Sequence, residues 1–353
     1  MKEKQSKKMS VLVTGAGGQL GQSIIKSLRF SKLSVRIVGT DCDARAAGMY
    51  RVDCAYIVPR AYQANQSGYI SAIQKIIKDE QVSIMFVGSD DEVSVLAYQK
   101  KAIEEAGTRL VISSPEAISI ASDKWNTVQF LKNNGLEYPE TARADDVEAV
   151  EQLVHDKGFP VIVKSRSGSG SKMVRKANDK IELICFTAAM PNAIVQEMLL
   201  PDDEEYTYGA YYDNMIRGSM LLRRELMGGL TGKAEVSDNS RIISYAEAII
   251  KALKPFGPCN IQLRLTSRGP VAFEINPRFS STSIIQAKFG FNAAEMALRS
   301  IALKEQNVQV NEIHKNLIAM RFYEEMYVTQ EQCRKLQETK RLEKPSGKID
   351  RLL

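Results

Sequence analysis

Between residues 9 and 113 the chain alternates short β-rich runs with stretches that carry apolar residues at helical spacing. The predicted strands, each bounded by Gly, Ser or Asp, are SVLVTGA, VRIVGTD, SIMFVGSD and RLVISS. The segments between them, such as YISAIQKIIKDE, repeat their apolar residues every three or four positions. Strands that alternate with helices form parallel sheets with crossover helices. This half of the chain is therefore predicted to be an open, Rossmann-like α/β domain.

A different pattern follows. Helical segments lead to FPVIVKSR, a serine- and glycine-rich loop and SKMVRKA, which predict a strand, a loop and a second strand. Beyond NAIVQEML the chain has long predicted strands: EEYTYGAYYD, MIRGSMLLRREL, CNIQLRLTS and GPVAFEINPRF. Long consecutive strands with few helices between them are typical of an antiparallel sheet. The second half is therefore predicted to be α+β.

Composition excludes several classes of protein. The net charge of +6 is compatible with nucleic-acid binding, but acidic residues are interspersed almost everywhere and a small anionic substrate such as a nucleotide explains the excess equally well, so we expect no nucleic-acid partner. The two histidines, His155 and His314, make a zinc site or a histidine triad hard to build, and the five cysteines are scattered thiols. No apolar run approaches the roughly 20 residues of a membrane span. The basic N-terminus lacks the apolar stretch of a signal peptide, so we expect a cytoplasmic protein without a membrane partner.

The first predicted strand runs into a glycine motif, Thr14-Gly-Ala-Gly-Gly-Gln-Leu-Gly21, that opens a helix. Such a turn presents backbone N–H groups to an anion, and Asp41 stands where a dinucleotide fold places its ribose-binding acid. A nicotinamide dehydrogenase is one interpretation, and tight packing of helix on sheet is the other. The short-chain dehydrogenase pattern needs a lysine four residues after a tyrosine, and no tyrosine here satisfies it; Tyr98, for example, is followed at that spacing by Ala102.

A lysine and a small-residue loop form the next signal. Lys164 ends the apolar run PVIVK, and Ser167-Gly168-Ser169-Gly170-Ser171 follows at once. Small residues let a loop close over phosphates and donate its N–H groups, while the lysine adds a point charge. A solvated hairpin tip is the alternative. The loop leads into a strand, so it is not a Walker A loop.

Acidic residues mark the strands that follow. Glu197 is followed by Met198 and Leu199, which suits a strand end that contacts an adenine edge beside an apolar wall. Glu205, eight residues on, is placed to bind the ribose hydroxyls. Taken in isolation, acids of this kind are more often ordinary surface charges.

The run Val271-Ala-Phe-Glu-Ile-Asn-Pro-Arg278 is the most specific signal. Strand alternation predicts Val271, Phe273 and Ile275 on one face, and Glu274 and Asn276 on the other. Two oxygen-bearing side chains at positions i and i+2 suit Mg²⁺, and Gln262 in the preceding strand can add a third oxygen. Pro277 ends the strand, so Arg278 is predicted to project beyond the metal site toward the transferred phosphoryl group.

In their order, SDK with Lys124, PVIVK, GSGSK, VQEML, EEYT, NIQL and FEINPRFS resemble the motifs of the ATP-grasp superfamily. The likeness is greatest to the carbamoyl phosphate synthetase large-chain branch and to small relatives such as the pyrrolysine-biosynthesis ligase. The resemblance implies a Rossmann-like pre-ATP-grasp domain followed by an α+β ATP-grasp domain with a small mobile lid. The expected divisions are a disordered tail at 1–8, the pre-ATP-grasp domain at 9–113, the lid subdomain at 114–197, the large subdomain at 198–330 and a charged C-terminal tail at 331–353.

The resemblance also implies roles for individual residues. Lys124, Lys164 and the 167–171 loop would bind the ATP phosphates, and Glu197, Met198, Leu199 and Glu205 the nucleoside. Gln262, Glu274 and Asn276 would hold one or two Mg²⁺ (or Mn²⁺) ions, and Arg278 would stabilise an acyl phosphate with Lys164. One departure is that only one ATP-grasp unit is present, without a glutaminase or an allosteric domain, so a complete carbamoyl phosphate synthetase is not expected.

The implied activity is an ATP- and Mg²⁺-dependent ligase that makes an acyl phosphate from a carboxylate and transfers the acyl group to an amine or ammonia. Activation of bicarbonate, a dehydrogenase and a non-catalytic nucleotide-binding module are the alternatives. Neither carboxylate nor amine can be named from the sequence, and a homodimer is possible because relatives commonly form dimers. Two segments are candidates for the substrate site, GSDDEV at 88–93 and RRELMGGLTGK at 223–233, with Asp90, Asp91, Glu92, Arg224 and Lys233 as candidate contacts. Arg223 and Arg224 are equally compatible with surface charges on a strand.

Overall fold

The computed structural model describes residues 8–62, 65–168, 173–190 and 192–349. The chain forms two compact units, one made of residues 1–115, 278–314 and 322–353, and the other of residues 116–277 and 315–321. Within the described residues, no helix combines the length and the apolar character needed to cross a bilayer.

The first unit is built on a six-stranded sheet. Its first five strands in chain order are β1 (Met9–Val13), β2 (Val35–Asp41), β3 (Cys54–Ile57), β4 (Val82–Phe86) and β5 (Arg109–Val111). They are mutually parallel in the spatial order β3-β2-β1-β4-β5, which is that of a Rossmann fold. Their connecting helices are α1 (Gln19–Phe30), α2 (Gln66–Glu80), α3 (Asp90–Tyr98) and α4 (Lys100–Glu104), with a 3₁₀ turn at Ala47–Tyr50. The predicted Rossmann-like domain is confirmed.

The central strands are apolar on both faces because helices cover the sheet on each side. Val11, Leu12 and Val13 are completely buried, as are Ile84, Met85 and Phe86 in β4. Near-continuous apolar runs of this kind are expected of parallel strands in a doubly wound sheet. The carboxyl ends of β1 and β4 lie side by side in this sheet, and the strand order reverses between these two strands.

The second unit contains two antiparallel sheets. Its helices are α5 (Pro115–Ser122), α6 (Lys124–Asn133), α7 (Val147–Lys157), α8 (Lys180–Ala189) and α9 (Ser240–Leu253). The four-stranded sheet has the order β6-β9-β7-β8, with β6 (Thr141–Arg143), β7 (Val161–Ser165), β8 (Val174–Ala177) and β9 (Ala193–Glu197). The six-stranded sheet has the order β14-β13-β10-β11-β12-β15, with β10 (Glu205–Tyr212), β11 (Ile216–Met227), β12 (Leu230–Val236), β13 (Gly257–Thr266), β14 (Gly269–Asn276) and β15 (Ile318–Met320). The α+β prediction for this half is also confirmed.

One face of the six-stranded sheet carries the core of the second unit. Ile261, Leu263 and Ile275 pack there with Ile249 and Ile250 of α9. Burial of these apolar side chains leaves the opposite face of β10, β11, β13 and β14 to polar residues, since neighbouring side chains along a strand point to opposite faces.

The end of the chain returns to the first unit. After α10 (Ser283–Lys288), α11 (Ala293–Ala297) and a π-helical turn at Leu298–Ala302, the chain forms β16 (Met326–Tyr327), α12 (Gln330–Thr339), β17 (Arg341–Glu343) and β18 (Lys348–Ile349). β16 pairs with β18 in a separate two-stranded sheet. β17 pairs antiparallel with β3 and forms one edge of the Rossmann-like sheet. Where the sequence predicts a charged tail, the structure therefore has an ordered helix and an edge strand.

Charged side chains explain why this segment is ordered. Arg341 donates to the Tyr56 hydroxyl at 2.7 Å and to Glu80 at 3.0 Å. Arg36, on β2, bridges Glu80 at 3.0 Å and Glu343 at 2.8 Å. The charged residues of this segment are thus the groups that attach it to the sheet.

Candidate active site

The pairing of β13 with β10 and β14 places the predicted metal ligands together on the polar face of the second unit's six-stranded sheet. Gln262 on β13 lies opposite Thr207 on β10 and opposite Glu274 on β14. Gln262 Nε2 donates to Glu274 Oε1 at 3.1 Å, and Asn276 Nδ2 donates to the same oxygen at 2.8 Å. The structure thus brings Gln262, Glu274 and Asn276 into one hydrogen-bonded group. A carboxylate with neighbouring amide oxygens is a donor set that fits Mg²⁺ or Mn²⁺.

The orientation of Gln262 has a specific cause. Its amide oxygen accepts from Arg224 Nη2 at 2.6 Å, which turns its amide nitrogen toward Glu274. A guanidinium has only donors and requires an acceptor oxygen. In this arrangement Gln262 supports the Glu274 carboxylate as a donor, while Glu274 and Asn276 remain the side chains that can present oxygen to a cation.

The predicted alternation along β14 is broken by a bulge. Gln262 pairs with Glu274 but the next residue, Leu263, pairs with Ala272, so Phe273 is the extra residue. Ala272 joins Ile275 in the core, and the expectation that Val271, Phe273 and Ile275 share one face was wrong. Glu274 and Asn276 lie beyond the bulge, so their common face is retained.

Lys164 and Lys124 supply the positive charge of the second unit's candidate phosphate site. Lys164 lies on β7 between β8 and β9 and is only 6% exposed. The pKa of Lys164 is lowered to about 7, chiefly by burial and also by repulsion from Lys124, against the attraction of Glu274. Burial likewise lowers the pKa of Lys124, against the attraction of Glu274 and Asp123. Among the described residues, the Lys164 ammonium has no hydrogen bond or ion pair.

The Ser-Gly loop is attached to Lys124. The backbone N–H of Lys124 donates to the Arg166 carbonyl, and its ammonium donates to the Gly168 carbonyl, each at 2.9 Å. Ser167 and Gly168 are described, and Gly168 has a φ of +99° that favours glycine. Ser169, Gly170 and Ser171 were predicted to bind phosphate and lie outside the described residues.

Asp123 and Arg166 were missed in the sequence. Asp123 caps α6 by accepting from the N–H groups of Trp125 and Asn126, and it also accepts from Arg166 Nη2 at 2.6 Å. Burial acts to raise the pKa of Asp123, but the hydrogen bonds from Arg166 and the helix outweigh it and the pKa is lowered. An aspartate directly before a helix is a recognisable N-cap signal, whereas its arginine partner could not be inferred from local sequence.

The predicted nucleoside contacts are already engaged with neighbouring side chains. Glu197 Oε1 accepts from the Glu140 N–H at 2.8 Å and forms an ion pair with Arg268. The Leu199 carbonyl accepts from Arg264 Nη1 at 2.9 Å. Met198 is half-buried and Leu199 is buried, so the apolar wall that was predicted can be formed here.

Glu205 sits between two arginines. It is 5% exposed, and its two oxygens accept from Arg224 Nη2 at 2.7 Å and Arg264 Nη2 at 3.1 Å. Arg224 is itself 8% exposed, so it belongs to this polar face and is not a surface charge. Arg223 and Lys233 instead form ion pairs at the surface with Glu204 and Glu225.

In the first unit, the 88–93 segment places its three acids in different surroundings. Asp90 forms an ion pair with Arg278, and Asp91 is exposed. Glu92 is buried and accepts from the Thr14 hydroxyl at 2.7 Å and the Tyr69 hydroxyl at 3.0 Å. The pKa of Glu92 is raised to about 7, chiefly by burial and also by the charges of Asp41 and Asp91, against the hydrogen bonds from Thr14 and Tyr69.

The glycine motif after β1 is packed against its own domain. The Asp41 carboxylate accepts from the Gly17 N–H at 2.8 Å, so it is directed to the loop. A Cβ on Gly17 would lie 2.2 Å from the Ala46 Cβ, and one on Gly88 would lie 2.3 Å from the Thr14 carbonyl oxygen. These contacts favour the structural interpretation of the motif, in which small residues allow close packing.

Two family models match this chain. Residues 121–282 match the ATP-grasp domain family, and residues 11–111 match the PylC-like N-terminal domain family. The chain therefore contains an ATP-grasp domain that follows a PylC-like N-terminal domain. In this arrangement it is similar to carbamoyl phosphate synthase large chains.

Two sequence relatives are carbamoyl phosphate synthase large chains. The one from Methanothermobacter thermautotrophicus is 25% identical over 325 residues, which are 82% of this chain and 30% of that protein. The one from Thermoplasma volcanium is 26% identical over 276 residues, or 71% of this chain and 26% of that protein. The chain thus spans less than a third of these relatives.

Solved structures share the fold. N5-carboxyaminoimidazole synthetase from Staphylococcus aureus, complexed with ADP, has a TM-score of 0.70 at 16% identity and covers 89% of this chain and 83% of its own. The biotin carboxylase domain of 2-oxoglutarate carboxylase from Hydrogenobacter thermophilus has a TM-score of 0.66 at 14% identity, with 88% and 73% covered.

Proposed function

We propose that this chain binds Mg-ATP and transfers the γ-phosphoryl group to a substrate carboxylate. The acyl phosphate is then attacked by an amine or by ammonia, which forms a C–N bond and releases phosphate. One observation carries the proposal: a buried lysine, Lys164, lies within electrostatic reach of both Lys124 and Glu274 on the second unit.

A buried ammonium without a counter-ion is costly, which is why the pKa of Lys164 falls to about 7. The phosphates of ATP would supply the missing negative charge and restore the protonated form. Lys124 would add a second positive charge to the same phosphates, and its contact with Gly168 ties the start of the loop to them.

Glu274 and Asn276 would hold the metal ion, with Gln262 fixing the Glu274 carboxylate by a hydrogen bond. The cation, when bound, neutralises phosphate charge during transfer. Lys164 and Arg278 would stabilise the negative charge that develops on the phosphoryl oxygens. We retain Ser167 and Gly168 as phosphate contacts, and Met198 and Leu199 as adenine contacts.

Glu205 and Arg224 would form the charged part of the surface that contacts the nucleotide. Both lie on the polar face that holds Gln262, and Arg224 contacts Gln262 directly. For Glu205 to bind the ribose as predicted, its carboxylate would have to give up the hydrogen bond from one of its two arginines. It would then accept hydrogen bonds from the ribose hydroxyls instead. Arg224 also stays a candidate for binding the acidic substrate, and Glu92 stays a candidate substrate contact.

Bicarbonate is the second candidate for the activated acid. The relatives at 25% and 26% identity are carbamoyl phosphate synthase large chains, and the 2-oxoglutarate carboxylase domain was solved with MgADP and bicarbonate. A dimer is named for that same structure. We also propose that the protein is a cytoplasmic homodimer. Residues 114–197 would form the lid subdomain and residues 198–330 the large subdomain.

The decisive experiment measures phosphate release from Mg-ATP with panels of amino acids and sugar acids, each with and without ammonium. Bicarbonate alone is a separate arm. Hydroxylamine added in place of the amine should trap the acyl phosphate as a hydroxamate. Glu274→Gln serves as the inactive variant, and Glu247→Gln, on α9 at the surface, as its matched control.

Release that depends on an organic acid supports the carboxylate–amine ligase. Release with bicarbonate alone assigns the second candidate. If ATP binds and no acid stimulates release, the ligase proposal fails and the non-catalytic module is the better interpretation. Quenching of NADH fluorescence by stoichiometric binding would instead support the dehydrogenase alternative.

A further inference from the structure

Arg278 is held by a residue that lies 188 positions away in the sequence. Its Nε donates to Asp90 Oδ1 at 2.6 Å and its Nη2 donates to Asp90 Oδ2 at 3.2 Å. Both residues belong to the first unit. A carboxylate that takes two parallel N–H groups fixes both the position and the plane of a guanidinium.

The rest of the guanidinium is also oriented. Arg278 Nη1 donates to the Phe279 carbonyl at 2.9 Å, and the Phe279 ring packs edge-on against Phe86 with 5.4 Å between ring centroids. Phe279 is 2% exposed, so the backbone next to Arg278 is anchored in the core. The Arg278 side chain is 12% exposed, against 41% for Asp90.

Asp90 is a rigid partner because the start of α3 is fixed. Gly88 packs so closely on the Thr14 carbonyl that a Cβ would lie 2.3 Å from its oxygen. Glu92, in the first turn of the same helix, is buried and accepts hydrogen bonds from the hydroxyls of Thr14 and Tyr69. Asp90 is the first residue of α3, where the helix dipole favours a negative charge.

A guanidinium held in this way can still bind a second anion. It carries five N–H groups in a planar fork, and Asp90 occupies the Nε–Nη2 edge. The edge formed by Nη1 and Nη2 keeps further N–H groups for an oxyanion. Asp90 therefore orients Arg278 without using all of its donors.

We propose that Asp90 is a positioning residue that preorganises Arg278 for the phosphoryl-transfer step, and is not itself a substrate contact. This inference rests on the proposed function, because it assumes that Arg278 stabilises transferred negative charge. Preorganisation lowers the entropic cost of bringing a long side chain into its catalytic geometry. Loss of Asp90 should therefore act on kcat and leave Mg-ATP binding nearly unchanged.

The first measurement does not depend on turnover. In ¹⁵N-resolved NMR spectra of the full chain, the Nε–H signal of Arg278 is assigned by its loss in Arg278→Lys. We expect a sharp, exchange-protected signal that shifts and loses protection in Asp90→Asn. Asp79→Asn, which alters an exposed aspartate at the end of α2, is the matched control and should leave that signal unchanged. An identical Arg278 signal in wild type and Asp90→Asn overturns the proposal.

The second measurement is steady-state phosphate release from Mg-ATP, with bicarbonate and a mixture of amino acids as the acid probe. Asp90→Asn should lower kcat about tenfold with KM for Mg-ATP within about twofold of wild type. Asp90→Glu, which retains the carboxylate, should recover part of the loss. The double variant Asp90→Asn/Arg278→Ala should be no slower than Arg278→Ala, because Asp90 acts through Arg278.

The two proposals can fail separately. If Arg278→Ala turns over at the wild-type rate, the catalytic role of Arg278 in the proposed function is wrong, whatever Asp90 does. If Arg278→Ala is inactive and Asp90→Asn has wild-type kcat, the positioning role is wrong and the proposed function stands. A raised KM with unchanged kcat in Asp90→Asn also rejects positioning and makes Asp90 a substrate contact.

Discussion

Glu205 and Arg224 form a buried ion pair on the polar face of the six-stranded sheet, with Arg224 Nη2 2.7 Å from Glu205 Oε1. Both side chains are buried. Arg224 extends the contact to Gln262, which in turn supports Glu274, so one chain of hydrogen bonds joins the predicted ribose acid to the predicted metal ligand.

The first prediction concerns stability at this pair. Glu205→Gln leaves Arg224 buried with its main counter-charge removed, and breaking a buried pair on one side costs about 3–5 kcal/mol. We expect a loss of that order in the free energy of unfolding, measured by urea denaturation. Glu204 is the partly exposed neighbour of Glu205, and Glu204→Gln should lower the free energy of unfolding by less than about 1 kcal/mol.

If Glu205 acted only in nucleoside binding, Glu205→Gln would give a different result in these measurements. Its glutamine variant would keep the urea midpoint of the wild type and lose affinity for ATP only. That outcome would show that the ion pair contributes little to the fold and that Glu205 acts chiefly on the ligand.

The second prediction is that ATP binding takes up a proton at Lys164. The pKa of Lys164 is lowered to about 7, so near pH 8 the ammonium is largely deprotonated without ligand. Phosphate favours the protonated form, and binding should raise that pKa. Calorimetric titrations at pH 8 in buffers of different ionisation enthalpy should show net proton uptake that disappears near pH 5.5. Lys164→Arg stays charged and should show no uptake at either pH.

The same residue affects stability without ligand. Its folded pKa lies below its unfolded value, so between about pH 7 and 10 the unfolded chain binds more protons and stability should rise with pH through this group. Lys164→Met should remove that dependence and weaken Mg-ATP binding roughly tenfold to a hundredfold, the value of a charge-assisted hydrogen bond. Unchanged Mg-ATP affinity in Lys164→Met would remove Lys164 from the phosphate site.

The third prediction concerns the metal group. Glu274→Gln keeps the size of the side chain and removes its charge, so we expect turnover to fall at least about a hundredfold because divalent cations prefer a carboxylate. Thermal unfolding without ligand should change little. Glu247→Gln, on the surface of α9, is the control. Turnover near wild type in Glu274→Gln, at any Mg²⁺ or Mn²⁺ concentration, contradicts the assignment.

The fourth prediction is that the C-terminal edge strand stabilises the first unit. Arg341→Ala removes hydrogen bonds to Tyr56 and Glu80 and should lower the free energy of unfolding by about 1–2 kcal/mol. Arg334→Ala, an exposed change in α12, is the control. Equal unfolding midpoints for the two variants would mean that β17 is held by its backbone pairing alone.

Much of the fold could be predicted from local patterns. Strand–helix alternation identified the Rossmann-like sheet, and runs of long strands identified the antiparallel one, because periodicity reflects which face of each element is buried. Lys124, Lys164, Glu274 and Asn276 could be selected for a similar reason: each stands at a strand or helix end beside a motif of distinctive composition.

The bulge at Phe273 could not be predicted, since it depends on how β14 pairs with β13. The segment at 341–343 showed only charge in the sequence, and its place in the sheet depends on Arg36, Tyr56 and Glu80, which lie far from it along the chain. The sequence likewise contained no sign that Gln262 would turn its oxygen to Arg224.

The sequence by itself determined the class of the two halves and the candidate residues for binding phosphate and a divalent cation, because these depend on local periodicity and on side-chain chemistry. Tertiary structure decided the partners of the charged groups: Arg224 with Glu205, Arg166 with Asp123, and Arg278 with Asp90. Ion pairing acts through space over a few ångströms, so residues 188 positions apart become partners only when the chain has folded.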